Sequence, residues 1–180
     1  MAHENIGSRT PGFAPNMYYI FNNDILHGNS LTAGSYKDSD GNVSMRPEPL
    51  SSQNWQLYFQ QERYFIRNYD YGGDYQLGLT EDSVIPRLIK RSGVLAQQWI
   101  LERQADGTYK IRNGFLGNNT VLAFTVAPNN VQPAMQSAQT GSTWSLVANP
   151  SALAPKDPSM MQDNKDFEVG SAPFPFFLRQ

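Results

Sequence analysis

Cysteine is absent from this chain of 180 residues, histidine occurs twice, and charged residues make up only 17%. Without Cys there are no disulfides, no thiolate metal sites and no cysteine nucleophile. His3 lies in the amino-terminal stretch and His27 in a loop, so a His-rich metal site has no ligands to draw on. Lys and Arg (14) nearly balance Asp and Glu (16), giving a net charge of −2 with the basic residues scattered. The electrostatic footprint of a nucleic-acid binder is missing. No run approaches the roughly 18 apolar residues of a membrane-crossing helix, so membrane insertion is not expected. Met1–Asn16 has no apolar core of the kind a secretory signal needs. These absences point to the cytoplasm, or to secretion with a signal already removed. No cofactor is implied.

Glycine (14) and proline (12) instead punctuate many short apolar stretches, the pattern of strands and turns. Tyr18-Tyr19-Ile20-Phe21-Asn22 aligns with Tyr64-Phe65-Ile66-Arg67-Asn68 and with Tyr109-Lys110-Ile111-Arg112-Asn113, at steps of 46 and 45. Nine residues after each Asn stands a leucine: Leu31, Leu77 and Leu122. The three tryptophans, Trp55, Trp99 and Trp144, follow at steps of 44 and 45, each with a leucine two residues on, Leu57, Leu101 and Leu146. Internal repetition of this kind decides the fold before any local reading does.

Each unit reads as four short strands, in the second unit 64–68, 75–79, 84–89 and 98–103. Tyr71-Gly72-Gly73-Asp74 and Ala105-Asp106-Gly107-Thr108 are turn signals between them. Three units of about 45 residues suit either propeller blades or a trefoil, and a propeller ring typically needs four blades or more. The expected fold is therefore all-β: a β-trefoil over residues 17–149, with repeats at about 17–61, 62–104 and 105–149. Residues 1–16 form an amino-terminal tail and residues 150–180 a carboxy-terminal extension. Tyr18, Ile20, Tyr64, Ile66, Tyr109, Ile111 and the recurring Leu and Trp residues are expected to build a threefold core. The aligned asparagines are expected to satisfy backbone groups at strand ends.

Gln53-Asn54-Trp55 and Gln97-Gln98-Trp99, with a degenerate Ser142-Thr143-Trp144, fall at the repeat period. They resemble the Gln-x-Trp signature of the ricin B-chain type lectins, a β-trefoil family that binds galactose and related sugars. The Cys-free form without a signal looks most like the fungal cytoplasmic lectins. The same fold also carries fungal protease inhibitors, so it leaves function open. The resemblance places sugar-binding Asp residues at Gly34, Thr80 and Thr125, a polar residue at Ser52, Ala96 and Gly141, and a stacking aromatic near Val43, Arg87 and Gln132. All three galactose-type sites are thus eroded, with Glu81 or Asp82 as stand-ins in the second unit.

A different site is expected where acidic and aromatic residues interleave on a glycine-hinged loop: Asp70, Tyr71, Asp74 and Tyr75. Carboxylates grip sugar hydroxyls, and rings cover the sugar's apolar face. The alternative is a polar hairpin with tyrosines at its base. Lys37-Asp38-Ser39-Asp40-Gly41-Asn42 resembles a calcium loop but lacks the later glutamate, so a solvated turn is expected. Two glycosylation sequons, at Asn42 and Asn118, carry weight only in a secreted protein. No catalytic constellation stands out. The reading is a non-catalytic lectin-like module that binds a glycan. The alternatives are a protein-interaction module (a protease inhibitor or accessory subunit, with a protein ligand) and an enzyme with a loop-built acid–base site. Phe167, Phe174, Phe176 and Phe177, alternating with Pro173 and Pro175, are expected to dock as an extended strap. The host is this trefoil or a second copy, which would make a homo-oligomer.

Overall fold

The computed structural model describes residues 13–14, 17–47, 49–128, 130–137, 141–152 and 172–174. Among the described residues it has twelve strands in chain order: β1 Tyr19–Asn23, β2 Ser30–Ala33, β3 Val43–Arg46, β4 Trp55–Gln60, β5 Arg63–Asn68, β6 Tyr75–Gly78, β7 Arg87–Lys90, β8 Trp99–Arg103, β9 Tyr109–Asn113, β10 Val121–Ala127, β11 Asn130–Gln136 and β12 Trp144–Ala148. Strands β1, β4, β5, β8, β9 and β12 pair in a ring that closes from β12 back to β1. The remaining strands form three antiparallel hairpins, β2–β3, β6–β7 and β10–β11. Closing the ring removes the edges that an open sheet would expose. Six barrel strands and three capping hairpins make this a β-trefoil.

The pseudo-threefold relation is visible in single pairings. Tyr19 lies opposite Trp55, Tyr64 opposite Trp99, and Tyr109 opposite Trp144. All three tryptophans are fully buried, and each indole Nε1–H donates to the carbonyl of the recurring leucine, Leu31, Leu77 or Leu122, at 2.8–2.9 Å. Leu57, Leu101 and Leu146 lie opposite Ile66, Ile111 and Phe21. The asparagine of each unit braces its neighbour. Asn23, Asn68 and Asn113 donate through Nδ2 to the carbonyls of Gly141, Ser52 and Ala96, and accept through Oδ1 from the backbone two residues on.

The first unit therefore sits one residue later than the repeat alignment sets it. Tyr19, Phe21 and Asn23 are the threefold equivalents, not Tyr18, Ile20 and Asn22. The doublets Tyr18-Tyr19 and Asn22-Asn23 satisfy both registers, and a shorter first loop hides the slip. In a strand, one residue of slip moves every side chain to the other face. Ile20 is accordingly only half-buried, while Phe21 has no exposure. Tyr18 is still buried, edge-on to Tyr69 at 5.1 Å, but outside the threefold set. Leu101, Tyr109 and Leu146 are likewise half-buried, Leu101 and Leu146 packing against the core from its margin. The third strand of unit two starts at Arg87, because Pro86 brings no N–H to a ladder. Val84 is instead half-exposed ahead of it.

Phe13, from the stretch expected to be a tail, closes the barrel end. Its ring centroid lies 5.0, 5.9 and 5.2 Å from Tyr19, Tyr64 and Tyr109, the three equivalent tyrosines.

Burial pushes the Tyr18 phenol up to about 12, with Tyr69 adding repulsion, and raises Tyr64 further through burial and then Tyr109 and Tyr19. Below the ordinary tyrosine value of 10.0 both folded and unfolded chains keep these protons, so the full stability is present. Between there and about 12 only the unfolded chain ionises at Tyr18, which favours unfolding. Stability is expected to be flat near neutrality and to fall above pH ~10 by roughly 1.4 kcal/mol per pH unit for each such tyrosine. Denaturant midpoints measured from pH 8 to 11.5 check this; a midpoint that stays level to pH 11.5 refutes it.

Candidate functional site

Aromatic and charged side chains come together where unit one meets unit two. The β2–β3 loop folds back on itself, with Gly34 N–H donating to Asn42 O at 2.8 Å and Ser39 Oγ donating to Ser35 O at 2.7 Å. At its tip Gly41 takes a left-handed φ of +79°, and its carbonyl accepts from Leu88 N–H of β7 at 2.8 Å. The loop is thereby tied to the neighbouring hairpin. Between them opens a depression of about 390 Å³.

Its wall is aromatic. Tyr36 from the loop, Tyr71 from the β5–β6 turn and Tyr75 at the head of β6 meet edge-to-face, with centroids 5.1, 5.8 and 5.6 Å apart. Tyr71 is buried, and its hydroxyl shares a hydrogen bond with Ser39 Oγ at 2.9 Å. Tyr36 is 47% exposed and Tyr75 half-buried, so these two present ring surface to solvent. The Tyr75 phenol is raised, first by the adjacent Tyr36 phenol and its hydrogen bond, then by burial and by Asp74. Across from the rings, Arg87 Nη2 pairs with Asp40 Oδ2 at 2.9 Å and also donates to the Asp40 carbonyl. Lys37 and Lys90 complete the rim.

Of the residues singled out in sequence, Tyr71 and Tyr75 line this depression. Tyr71 belongs to the core cluster, so its ring packs at the base of the hairpin and not on an exposed loop. Asp70 faces a second depression of about 300 Å³, with Thr32, Gly34, Ser44, Arg46 and Ser52 in its lining, and accepts a hydrogen bond from Ser51 Oγ at 3.1 Å. Asp74 is exposed, and its carbonyl ties to Arg91 N–H at 2.8 Å. Glu81 and Asp82 are exposed on the β6–β7 turn, outside the linings of both depressions. Tyr36, Asp40 and Arg87 have no counterpart in the sequence-derived candidate set. The loop resembling a calcium site spends Asp40 on Arg87.

The Gln-x-Trp glutamines hold the scaffold. Gln53 accepts from Leu50 N–H and donates to Arg46 O; Gln97 accepts from Ser92 N–H and donates to Lys90 O, all at 3.0–3.1 Å. The three eroded sugar positions have diverged. In unit one Gly34 and Ser52 line the open second depression, while Val43 is buried in the core and offers no stacking face. In unit two Ala96 is covered by Pro173. In unit three the Phe124 ring lies against Gly141, where a Cβ would meet it at 2.7 Å.

Among the described residues no helix is long and apolar enough to cross a membrane. No protein-family model matches the chain, and no curated protein sequence matches it. Solved structures do. The chain is similar to a mosquitocidal holotoxin, at 20% identity and a TM-score of 0.65 over 76% of this chain, and spans only 18% of the length of that protein. It is similar to the designed threefold-symmetric protein ThreeFoil, at 23% identity and a TM-score of 0.60, covering 72% of this chain and 97% of that one. It is also similar to a Macrolepiota procera ricin B-like lectin in complex with lactose, at 12% identity and a TM-score of 0.59, covering 76% and 98%. Likeness at these identities speaks for the fold, and together with the closed barrel and its three hairpins it establishes the chain as a β-trefoil.

Proposed function

We propose that the protein is a non-catalytic carbohydrate-binding module that takes a glycan at the tyrosine-lined depression between units one and two. The observation that carries this reading is the pairing of exposed Tyr36 and Tyr75 ring surface with the Asp40–Arg87 pair in one open concavity. Rings cover the C–H face of a sugar, and the charged groups exchange hydrogen bonds with its hydroxyls. The likeness to a lectin solved with lactose agrees with a sugar as ligand. Tyr71 supports the two contact tyrosines from behind, and Asp74 tunes Tyr75 from the margin. Glycoside hydrolysis generally needs two carboxyl groups flanking one bond. Among the described residues of the lining Asp40 is the single carboxylate, and Arg87 holds it.

A glycan array of the wild-type protein beside the Tyr36→Ala/Tyr75→Ala double variant tests this. Each lost ring contact is worth about 0.5–1.5 kcal/mol, so affinity is expected to fall roughly tenfold or more. Binding is measured where denaturant unfolding shows both proteins folded, because the ring contacts with Tyr71 are lost as well. Tyr71 is left intact because it belongs to the core. Absence of any glycan signal in the wild type overturns the reading in favour of a protein ligand.

A further inference from the structure

The carboxy-terminal segment returns to the trefoil at one defined place. Ala172 O accepts from Leu95 N–H at 2.7 Å, and Pro173 O accepts from Ala96 N–H at 3.1 Å. Phe174 then turns in, 5% exposed, with its ring 4.6 Å from that of Phe115. Phe167, Pro175, Phe176 and Phe177 lie outside the described residues.

The threefold relation says what this place is. Ala96 and Ser52 each precede the signature glutamine of their unit. Phe115 and Asp70 each follow the bracing asparagine by two residues and donate their N–H to its Oδ1. Leu95 and Ala96 of unit two with Phe115 of unit three thus correspond to Ser51 and Ser52 of unit one with Asp70 of unit two, which line the open polar depression. Where unit one meets unit two this position is polar and open; where unit two meets unit three it is apolar, and residues 172–174 lie against it.

The contact chemistry is selective. The surface supplies two successive N–H donors and asks the ligand only for carbonyls. Proline at the middle position therefore forfeits nothing, although it has no N–H to give. Its fixed φ also lowers the ordering cost, and the chain bends at Pro173 and Phe174 so that the ring turns in. An aromatic side chain must follow, to cover Phe115, which stays 41% exposed even with Phe174 against it.

We propose that the surface over Leu95, Ala96 and Phe115 is a docking site for a bent peptide of the form small–Pro–aromatic. The chain's own Ala172–Phe174 occupies it, and the same sequence offered in trans competes for it. The segment belongs to the same chain, so its docking is intramolecular and a free peptide enters only when the segment is removed or outcompeted. This assignment does not depend on the sugar reading.

The probe is a fluorescein-labelled peptide of residues 171–178, followed by anisotropy. Saturable binding is expected to the chain truncated after Ser171 and to full-length Phe174→Ala. The full-length wild type is expected to bind roughly tenfold more weakly or worse. A peptide with alanine at the Phe174 position is expected to lose binding to both variants. If truncation unfolds the protein, the full-length Phe174→Ala variant decides the question on its own. Lack of binding to Phe174→Ala, or equal binding to Phe174→Ala and wild type, overturns the proposal. So does a wild-type dimer that dissociates on truncation, which would place the segment on a second copy.

Discussion

Trp99→Ala is expected to lower the free energy of unfolding by about 3–5 kcal/mol, the range for deleting a fully buried large aromatic side chain. Two effects add. The ring leaves a cavity at the barrel axis that Leu77, Leu101 and Ile111 cannot fill without leaving their own rotamers. The Leu77 carbonyl, which accepts the indole N–H at 2.8 Å, also loses its partner inside the core. Trp99→Phe separates the terms, because it keeps most of the ring volume and removes the donor. It is expected to cost appreciably less than the alanine variant. Trp55→Ala and Trp144→Ala, with equivalent bonds to Leu31 and Leu122, are expected to match Trp99→Ala within about 1 kcal/mol if the threefold relation holds energetically as well as geometrically. Urea unfolding of the four variants measures this. A cost below about 1 kcal/mol for Trp99→Ala would show that the side chain does not anchor the core.

The tryptophans were legible because they are scarce. Three Trp residues in 180, each with a leucine two positions on, permit only one alignment. The first strand was legible in kind but not in register, since its doubled tyrosine and doubled asparagine let either neighbour fill each role. Burial breaks the tie: the side chain facing the axis must be Phe21. Phe13 escaped for a deeper reason. A residue on the pseudo-threefold axis serves Tyr19, Tyr64 and Tyr109 at once, so it occurs once and leaves no mark in a repeat search. The candidate site was half legible. Tyr71 and Tyr75 announce themselves as rings on a glycine-hinged turn. Tyr36, Asp40 and Arg87 reach them from another unit's loop and from the far strand of the hairpin, and contacts between units have no period to read. Burial of Tyr71 follows from the same cause, because it is the unit-one loop that covers it.

That loop is positioned by one residue. Gly41 combines φ +79° with a close approach in which a Cβ would lie 2.1 Å from the Leu88 carbonyl oxygen. Backbone cannot swing aside as a side-chain tip can, so Gly41→Ala forces the loop away from β7. The left-handed conformation alone costs an L-residue roughly 1–2 kcal/mol. Overpacking against backbone adds roughly 1–3 kcal/mol, for an expected loss of about 2–5 kcal/mol. Gly72 provides the matched control. It has φ +74° and nothing within 4 Å of where a Cβ would stand, so Gly72→Ala is expected to show the conformational part only. The difference between the two variants reports the close approach itself. It also has a consequence at the site, because the Leu88 N–H to Gly41 carbonyl bond and the Asp40–Arg87 pair hold one wall of the depression in place. If the depression takes a glycan as proposed, Gly41→Ala is expected to weaken that binding by roughly tenfold or more even where the protein remains folded, while Gly72→Ala leaves it within about twofold. Chemical denaturation and a binding isotherm on the same two variants decide the matter. Equal stability losses would mean that the loop yields freely at Leu88, and that its anchoring to β7 does not shape the site.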